Sequence, residues 1–142
     1  MDLHLGGQRA LVTGASKGIG QALAISPASE GCAVDIAARD RGALDRDAAE
    51  TVADVPGADI RVHVADLSSS ADQEALFEAC RDVDILINNA GAAASGSLVE
   101  TDETGWRNSW DLKVFGYINL SRAFCRAMKD RADGVIVNII GY

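Results

Sequence analysis

Short apolar segments alternate with longer amphipathic ones along the chain. The short segments are rich in Val, Ile and Ala and end in Gly, Asp or Asn: Arg9–Thr13, Ala33–Ala38, Ile60–Ala65, Val83–Asn88 and Val135–Ile140. Runs that are nearly continuous in apolarity are typical of strands covered on both faces, as in a parallel sheet. The third run alternates apolar with polar positions, which predicts a strand at the edge of that sheet.

Longer segments with helical spacing lie between these runs, over Ile19–Glu30, Arg41–Ala53, Ala71–Arg81 and Thr101–Met128. Strands that alternate with helices in this way predict an α/β fold, with a doubly wound parallel sheet of the Rossmann type in the strand order 3-2-1-4-5. Asp40 is a candidate N-cap for the second helix, and the Ser68–Ser70 stretch offers caps for the third. Pro27 conflicts with the first helix, which we expect to end early or to bend there.

The last of these helical segments is the longest. Its residues Trp106, Trp110, Val114, Ile118 and Cys125 recur at helical spacing and predict the stripe that is buried against the sheet. On that interpretation Phe115, Tyr117, Leu120 and Phe124 lie off the stripe. This surplus of apolar surface predicts that the protein forms homo-oligomers.

Composition narrows the classes of function. The 142 residues are 48% hydrophobic and carry a formal net charge of −8, which argues against nucleic acid as a partner. No stretch approaches the roughly 20 apolar residues of a membrane span, and the N-terminus does not resemble a signal peptide. Cys32, Cys80 and Cys125 are far apart and predict reduced thiols, two or three of them buried. We therefore expect a cytoplasmic protein without a membrane or a metal.

A glycine-rich segment joins the first strand to the first helix: Thr13, Gly14, Ala15, Ser16, Lys17, Gly18, Ile19 and Gly20. Gly14 permits a sharp turn, Gly18 leaves room for a pyrophosphate to approach the backbone, and Gly20 allows close packing of helix and sheet. The helix N-terminus directs free N–H groups at an anion. Ser16 can add a hydroxyl donor.

In these residues the chain resembles the short-chain dehydrogenase/reductase family. The segment from Thr13 to Gly20 matches that family's T-G-x-x-x-G-x-G loop. Asn88–Gly91 matches its N-N-A-G segment, and Asp66–Leu67 matches its pair beside adenine. The resemblance covers the whole chain. It implies one NAD(P)-binding Rossmann domain over residues 1–142, incomplete at its C-terminus because the sheet is truncated after the fifth strand.

The resemblance also assigns roles to residues. Asp66 would accept a hydrogen bond from the adenine amino group, and Leu67 would pack nearby. Asn89, Ala90 and Gly91 would lie along the ribose and the nicotinamide. For Asn88 two interpretations stay open: contact with the cofactor, or hydrogen bonds that tie strand ends together.

The type of nicotinamide cofactor depends on the end of the second strand. NAD-binding Rossmann proteins carry a carboxylate there for the ribose 2′-OH, whereas this chain has Ala38 followed by Arg39. With Lys17, Arg39 would meet a 2′-phosphate, so we expect NADP and regard NAD as less favoured. The alternative is that both cations are solvated. Asp40 can reach a 2′-OH, but helix capping explains its presence equally well.

Catalytic residues are not assigned. The family uses a Tyr and a Lys one helical turn later, with a Ser and an Asn as helpers. Tyr142 follows the fifth strand too early for that Tyr. Alignment places Lys113 where the Asn is expected and Gly141 where the Ser is expected. Lys113 either extends to solvent or belongs to a changed proton relay. We expect the chain as given to be inactive.

Two functions remain. The first is an NADP(H)-dependent oxidoreductase that transfers a hydride between the nicotinamide and a small alcohol or carbonyl substrate. The second is a nucleotide-binding sensor or regulatory module of the same fold without redox chemistry. Segments that would form the substrate walls lie beyond the fifth strand in this family, so the substrate is not predicted.

Overall fold

The computed structural model describes residues 3–15, 18–91 and 96–140. Five parallel strands form one sheet in the order 3-2-1-4-5, which confirms the predicted Rossmann topology. They are β1 (Arg9–Thr13), β2 (Ala33–Ala38), β3 (Ile60–Val64), β4 (Ile85–Asn88) and β5 (Val135–Asn138). The helices are α1 (Ile19–Ser29), α2 (Arg41–Asp54), α3 (Ser70–Ala79), α4 (Glu103–Trp110) and α5 (Gly116–Arg131), with a π-helical segment at Asp111–Phe115 between α4 and α5.

Strand position follows the apolar pattern. Central β1 and β4 are buried nearly throughout, and Val12 of β1 pairs with Ile36 on one side and Ile87 on the other. Strand β3 has only half-buried and exposed positions and lies at one edge, beside β2. This confirms the edge position that its polar residues predicted.

Apolar side chains fill both faces of the sheet. One face packs Leu11 and Leu86 against Leu120 and Phe124 of α5. The other packs side chains such as Ile36 against α1 and α2. Burial of one such Leu, Ile or Phe stabilises the fold by about 1.5–3 kcal/mol. The two layers pack on both faces of the sheet, and the candidate site is built on the strand ends.

The helix ends agree largely with their sequence signals. The Asp40 carboxylate accepts from the Ala43 N–H at 3.0 Å and caps α2, and Ser69 caps α3. Pro27 lies in the last turn of α1, which ends two residues later at Ser29. A proline so close to the C-terminal end interrupts one helical hydrogen bond without breaking the helix.

The predicted buried stripe of the long helix is wrong. Trp106, Trp110 and Ile118 are 40%, 56% and 44% exposed, and Cys125 is exposed as well. The buried residues are instead Gly116, Leu120, Phe124 and Met128. Both sets repeat at four-residue intervals, so spacing alone does not choose between them. The π-helical segment also has more residues per turn, which changes the phase between α4 and α5.

Cys32 and Cys80 are buried, as expected for thiols used as small apolar side chains. Within the described ranges, no helix is both long enough and apolar enough to cross a membrane.

Candidate functional site

A cleft of about 590 Å³ opens at the carboxyl ends of β1, β2 and β4. The strand order reverses between β1 and β4, and ligands of open α/β sheets bind at such a switch point. Eight of the predicted site residues line the cleft: Gly14, Ile19, Gly20, Arg39, Leu67, Asn89, Ala90 and Gly91. A larger hollow of about 700 Å³ lies between α3 and α5, away from the strand ends, and contains none of them.

The glycine turn is packed directly against β4. Gly14 has a φ of 67°, and a Cβ there would lie 2.6 Å from the Ala90 Cα. A Cβ on Gly20 would lie 2.8 Å from both the Ala15 Cα and the Asn89 Nδ2. Side chains at these two positions would therefore push the helix away from the sheet, as the sequence predicted for Gly20.

Gly18 occupies the N-cap of α1 with a φ of 61°, and a Cβ there would meet no atom within 4 Å. A glycine cap supplies no side-chain oxygen, so it leaves the amides of the first turn available to an anion. The first turn contains no acidic residue. The predicted contacts of Ser16 and Lys17 lie outside the described residues.

Thr13 and Asn89 join the glycine turn to the end of β4. The Thr13 hydroxyl accepts from the N–H groups of Asn89 and Ala90 at 3.0 and 3.1 Å and donates to the Ile87 carbonyl at 3.3 Å. The Asn89 side-chain amide donates to the Gly14 carbonyl at 3.0 Å. Asn89 therefore fixes the shape of the turn, whether or not it also contacts a ligand.

The environment of Asn88 agrees with the second of its two interpretations, hydrogen bonds that tie strand ends together. It is fully buried, and its amide donates to Ser121 Oγ at 3.0 Å and to Asn138 Oδ1 at 2.9 Å. These bonds connect β4 to α5 and β5. Asn88 is absent from the residues that line the cleft, so the geometry favours the tying of strand ends.

Asp66 and Leu67 follow β3, and Asp66 is not among the residues that line the cleft. Leu67 is buried and lines the cleft. Asp66 Oδ1 accepts from the Ser68 hydroxyl at 2.7 Å and from the Ser68 N–H at 3.0 Å. These hydrogen bonds hold the pKa of Asp66 below its usual range, so the group is an anionic acceptor at neutral pH.

Two exposed arginines face the cleft near the end of β2. Arg39 makes no hydrogen bond or ion pair within the described part of the chain, and Arg46 lines the same cleft from α2. The sequence interpretation missed Arg46. Arg46 lies three residues after Ala43, which also lines the cleft, and residues three apart on a helix share one face. Asp40 also lines the cleft, with one oxygen engaged in capping α2.

Lys113 does not extend to solvent, so that interpretation is wrong. Its ammonium donates to the Ile139 carbonyl at 2.9 Å and to the Tyr117 hydroxyl at 3.0 Å, and Tyr117 donates to the same carbonyl. The Lys113 side chain lies against Gly91, where a Cβ would be 2.9 Å from the Lys113 Cδ. Lys113 therefore bridges β5 and the cleft wall. Gly141 lies outside the described residues.

The strand order, the glycine turn and the cleft at the switch point define a Rossmann-type fold. The chain belongs to the short-chain dehydrogenase family, since the family model, described as "short chain dehydrogenase", matches residues 8–141. Galactitol 2-dehydrogenase (L-tagatose-forming) of Cereibacter sphaeroides is 40% identical over 136 residues, covering 96% of this chain and 53% of that protein. The chain spans about half the length of the curated relatives it matches.

Solved structures show the same similarity. The L-sorbose reductase of Gluconobacter frateurii, complexed with NADPH and L-sorbose, has a TM-score of 0.89 and 30% identity, covering 97% of this chain and 54% of that chain. A metagenomic short-chain oxidoreductase in complex with NADP has a TM-score of 0.87 and 35% identity, covering 98% and 64%.

Proposed function

We propose that this chain is the cofactor-binding part of an NADP(H)-dependent oxidoreductase that acts on a small alcohol or carbonyl compound. The observation that carries the proposal is the pair Arg39 and Arg46 on a cleft where Ala38 replaces the carboxylate typical of NAD-binding proteins. Guanidinium groups bind phosphate oxygens with two hydrogen bonds, which suits a ribose 2′-phosphate. The two solved relatives named above were crystallised with NADPH or NADP.

The residues around the cleft fit such a cofactor. The glycine turn and the N-terminus of α1, with Ser16 and Lys17, would receive the pyrophosphate. The Asp66 carboxylate would accept from the adenine amino group, with Leu67 beneath the ring. Asn89, Ala90 and Gly91 would follow the ribose toward the nicotinamide, which supplies or accepts the hydride when bound. The hydrogen bond from the Lys113 ammonium to the Ile139 carbonyl would fix the Lys113 side chain. That side chain would in turn hold Gly91 in place.

Substitution of Arg39 tests the choice of cofactor. Removal of one charge-assisted contact costs about 1.5–3 kcal/mol, so Arg39→Ala should weaken NADPH binding roughly tenfold to a hundredfold. NADH binding should change little, because NADH has no 2′-phosphate. Isothermal titration calorimetry with both cofactors measures the two dissociation constants.

Arg41→Ala is the matched control. Arg41 is the next arginine along the chain, but its guanidinium is paired with Asp45 at 2.9 Å and it does not line the cleft. It should leave both affinities unchanged. Equal losses of NADPH and NADH affinity in Arg39→Ala would contradict the assignment of the 2′-phosphate.

A second candidate is a nucleotide-binding module without redox chemistry. The observation in its favour is Lys113, whose ammonium is occupied by Tyr117 and Ile139 at the position where the resemblance expects an asparagine. Oxidation of NADPH, followed at 340 nm with a panel of aldehydes, ketones and quinones, separates the two. Turnover by this chain or by a longer form that contains it supports the oxidoreductase, whereas cofactor binding without turnover in both supports the module.

We also propose that the protein self-associates through the outer face of α4, the π-helical segment and α5. Trp106, Trp110 and Phe115 are exposed there around a shallow depression of about 270 Å³. Large apolar side chains exposed together are typical of interaction sites in soluble proteins. The face differs from the one first expected, since Leu120 and Phe124 are buried in the core.

A further inference from the structure

A cluster of ionisable side chains lies between the sheet and α3, outside the cofactor cleft. Asp35 in the middle of β2 and Cys80 at the end of α3 are fully buried, and the side chain of His63 on β3 is 22% exposed. None of the three lines the cleft. A buried carboxylate in a strand is costly unless charged or polar partners compensate for its lost hydration.

The three side chains direct one ligand atom each at a common point. His63 Nε2 lies 2.6 Å from Asp35 Oδ1, and Cys80 Sγ lies 3.5 Å from that nitrogen and 3.7 Å from that oxygen. Zinc bound tetrahedrally by sulfur, nitrogen and oxygen places neighbouring ligand atoms about 3.3–3.6 Å apart, given its bond lengths. Two of the three separations already have this size. The third would widen by about 0.7 Å when zinc replaced the shared proton.

The charges around the cluster also suit a divalent cation. The Arg9 guanidinium donates to both oxygens of Asp35, at 2.6 and 2.7 Å, and pairs with Asp82. One guanidinium against two carboxylates leaves a surplus of one negative charge, and Cys80 adds a second when it releases its proton to solvent as the metal binds. A carboxylate oxygen has more than one lone pair, so Asp35 can bind a metal while it accepts from Arg9. Hydrogen bonds of this kind orient the ligands in many metal sites.

We propose that Asp35, His63 and Cys80 form a zinc-binding site, with the fourth position open to solvent or a small anion at the exposed edge of His63. The donor set of thiolate, imidazole and carboxylate is typical of zinc. Because the ligands come from β2, β3 and the end of α3, the metal would join the edge strand to the sheet and its covering helix. The proposal is independent of the cofactor bound in the cleft.

Titration of the metal-free protein with Co²⁺, a spectroscopic substitute for zinc, tests the proposal. One equivalent should produce a thiolate-to-cobalt charge-transfer band and the intense visible bands of a tetrahedral site. One equivalent of Zn²⁺ should abolish both and raise the melting temperature. His63→Gln and Cys80→Ala should weaken Zn²⁺ binding, measured by competition with a chelator, by more than the roughly 10–100-fold that loss of an outer-shell partner costs.

Cys125→Ala is the control, because Cys125 is exposed and lies outside the cluster. It should retain one equivalent of Zn²⁺ and the full cobalt spectrum. Wild-type protein that binds Co²⁺ without the thiolate band, or not at all, overturns the proposal even if the cluster variants fail to fold. Stoichiometric binding that persists in folded Cys80→Ala overturns it as well.

Discussion

At the scale of single residues, Gly18 contributes to the candidate site because it has no side chain. Its φ of 61° lies in the left-handed region, and the space that a Cβ would enter is open. A β-branched residue is strained in that conformation, at a cost of about 1–3 kcal/mol. The same side chain would project toward the region where we place the pyrophosphate. Conformation and ligand access therefore select glycine for separate reasons.

Gly18→Val should consequently abolish cofactor binding while the fold survives. Circular dichroism checks the fold, and quenching of NADPH fluorescence measures binding. Gly57→Val is a matched control, since Gly57 has a φ of 88°, meets nothing within 4 Å and lies between α2 and β3, away from the cleft. It should carry the same backbone strain and bind normally. A folded Gly18→Val protein with normal quenching would show that the turn binds differently.

At the scale of elements, side-chain hydrogen bonds fix how the strand ends meet. Thr13 is fully buried at the end of β1, and its hydroxyl satisfies two N–H groups of the segment after β4. Valine has nearly the same shape but no acceptor. Thr13→Val would leave these two N–H groups unpaired in the interior, and each unpaired group costs about 1–3 kcal/mol.

We expect Thr13→Val to lower the free energy of unfolding by at least about 2 kcal/mol, seen as a lower urea midpoint with an unchanged slope. Thr51 of α2 provides the comparison. It is equally buried, but its hydroxyl has no hydrogen-bond partner among the described residues. Thr51→Val should therefore be neutral or stabilising. A similar loss of unfolding free energy in both variants would mean that side-chain shape, rather than hydrogen bonding, determines the loss of stability.

The strands followed from the sequence because their signal is local, and their order followed from the Rossmann fold class that the alternation of strands and helices predicted. A run such as Ile85–Ile87 is apolar on both faces, and one with alternating polar residues such as β3 belongs at an edge. The long helix was predicted as an element, but its buried face was not. Two sets of apolar residues have the same spacing there, and the choice depends on the side chains of the sheet and α3 that meet α5.

Part of the candidate site could likewise be predicted from the sequence, and part could not. The glycine turn and the segment after β4 form a contiguous motif, and the structure brings most of its described residues to one cleft. Arg46 and the partners of Asp35 come from separate elements. Arg9, His63 and Cys80 are each ordinary in their own segments, and only tertiary packing unites them. Their proximity could not have been inferred from spacing.

At the scale of the whole molecule, association of the protein depends on where its exposed apolar side chains lie more than on how many there are. The chain carries a net charge of −8, which opposes non-specific association. Against that background, Trp106, Trp110 and Phe115 form an exposed patch on one face. Aromatic side chains of this size dominate the energetics of protein interfaces.

Trp110→Glu should therefore reduce the molar mass measured by light scattering after size-exclusion chromatography, because it places a charge within the proposed interface. Val52→Glu is the control, since Val52 is an exposed apolar residue on α2, outside the patch. It should leave the mass unchanged. A wild-type protein that is monomeric at all concentrations would contradict self-association.

The π-helical segment has a consequence for how this part of the chain tolerates changes in length. A π turn is a helical turn that contains one residue more than an α-helical turn. Here it spans Asp111–Phe115 between α4 and α5. Deletion of one residue within it would restore an ordinary α-helix and rotate α4 by about 100° relative to α5. Leu112 would then turn away from the cleft and the tryptophans toward a different surface. The relative orientation of α4 and α5 is therefore sensitive to the exact number of residues between them.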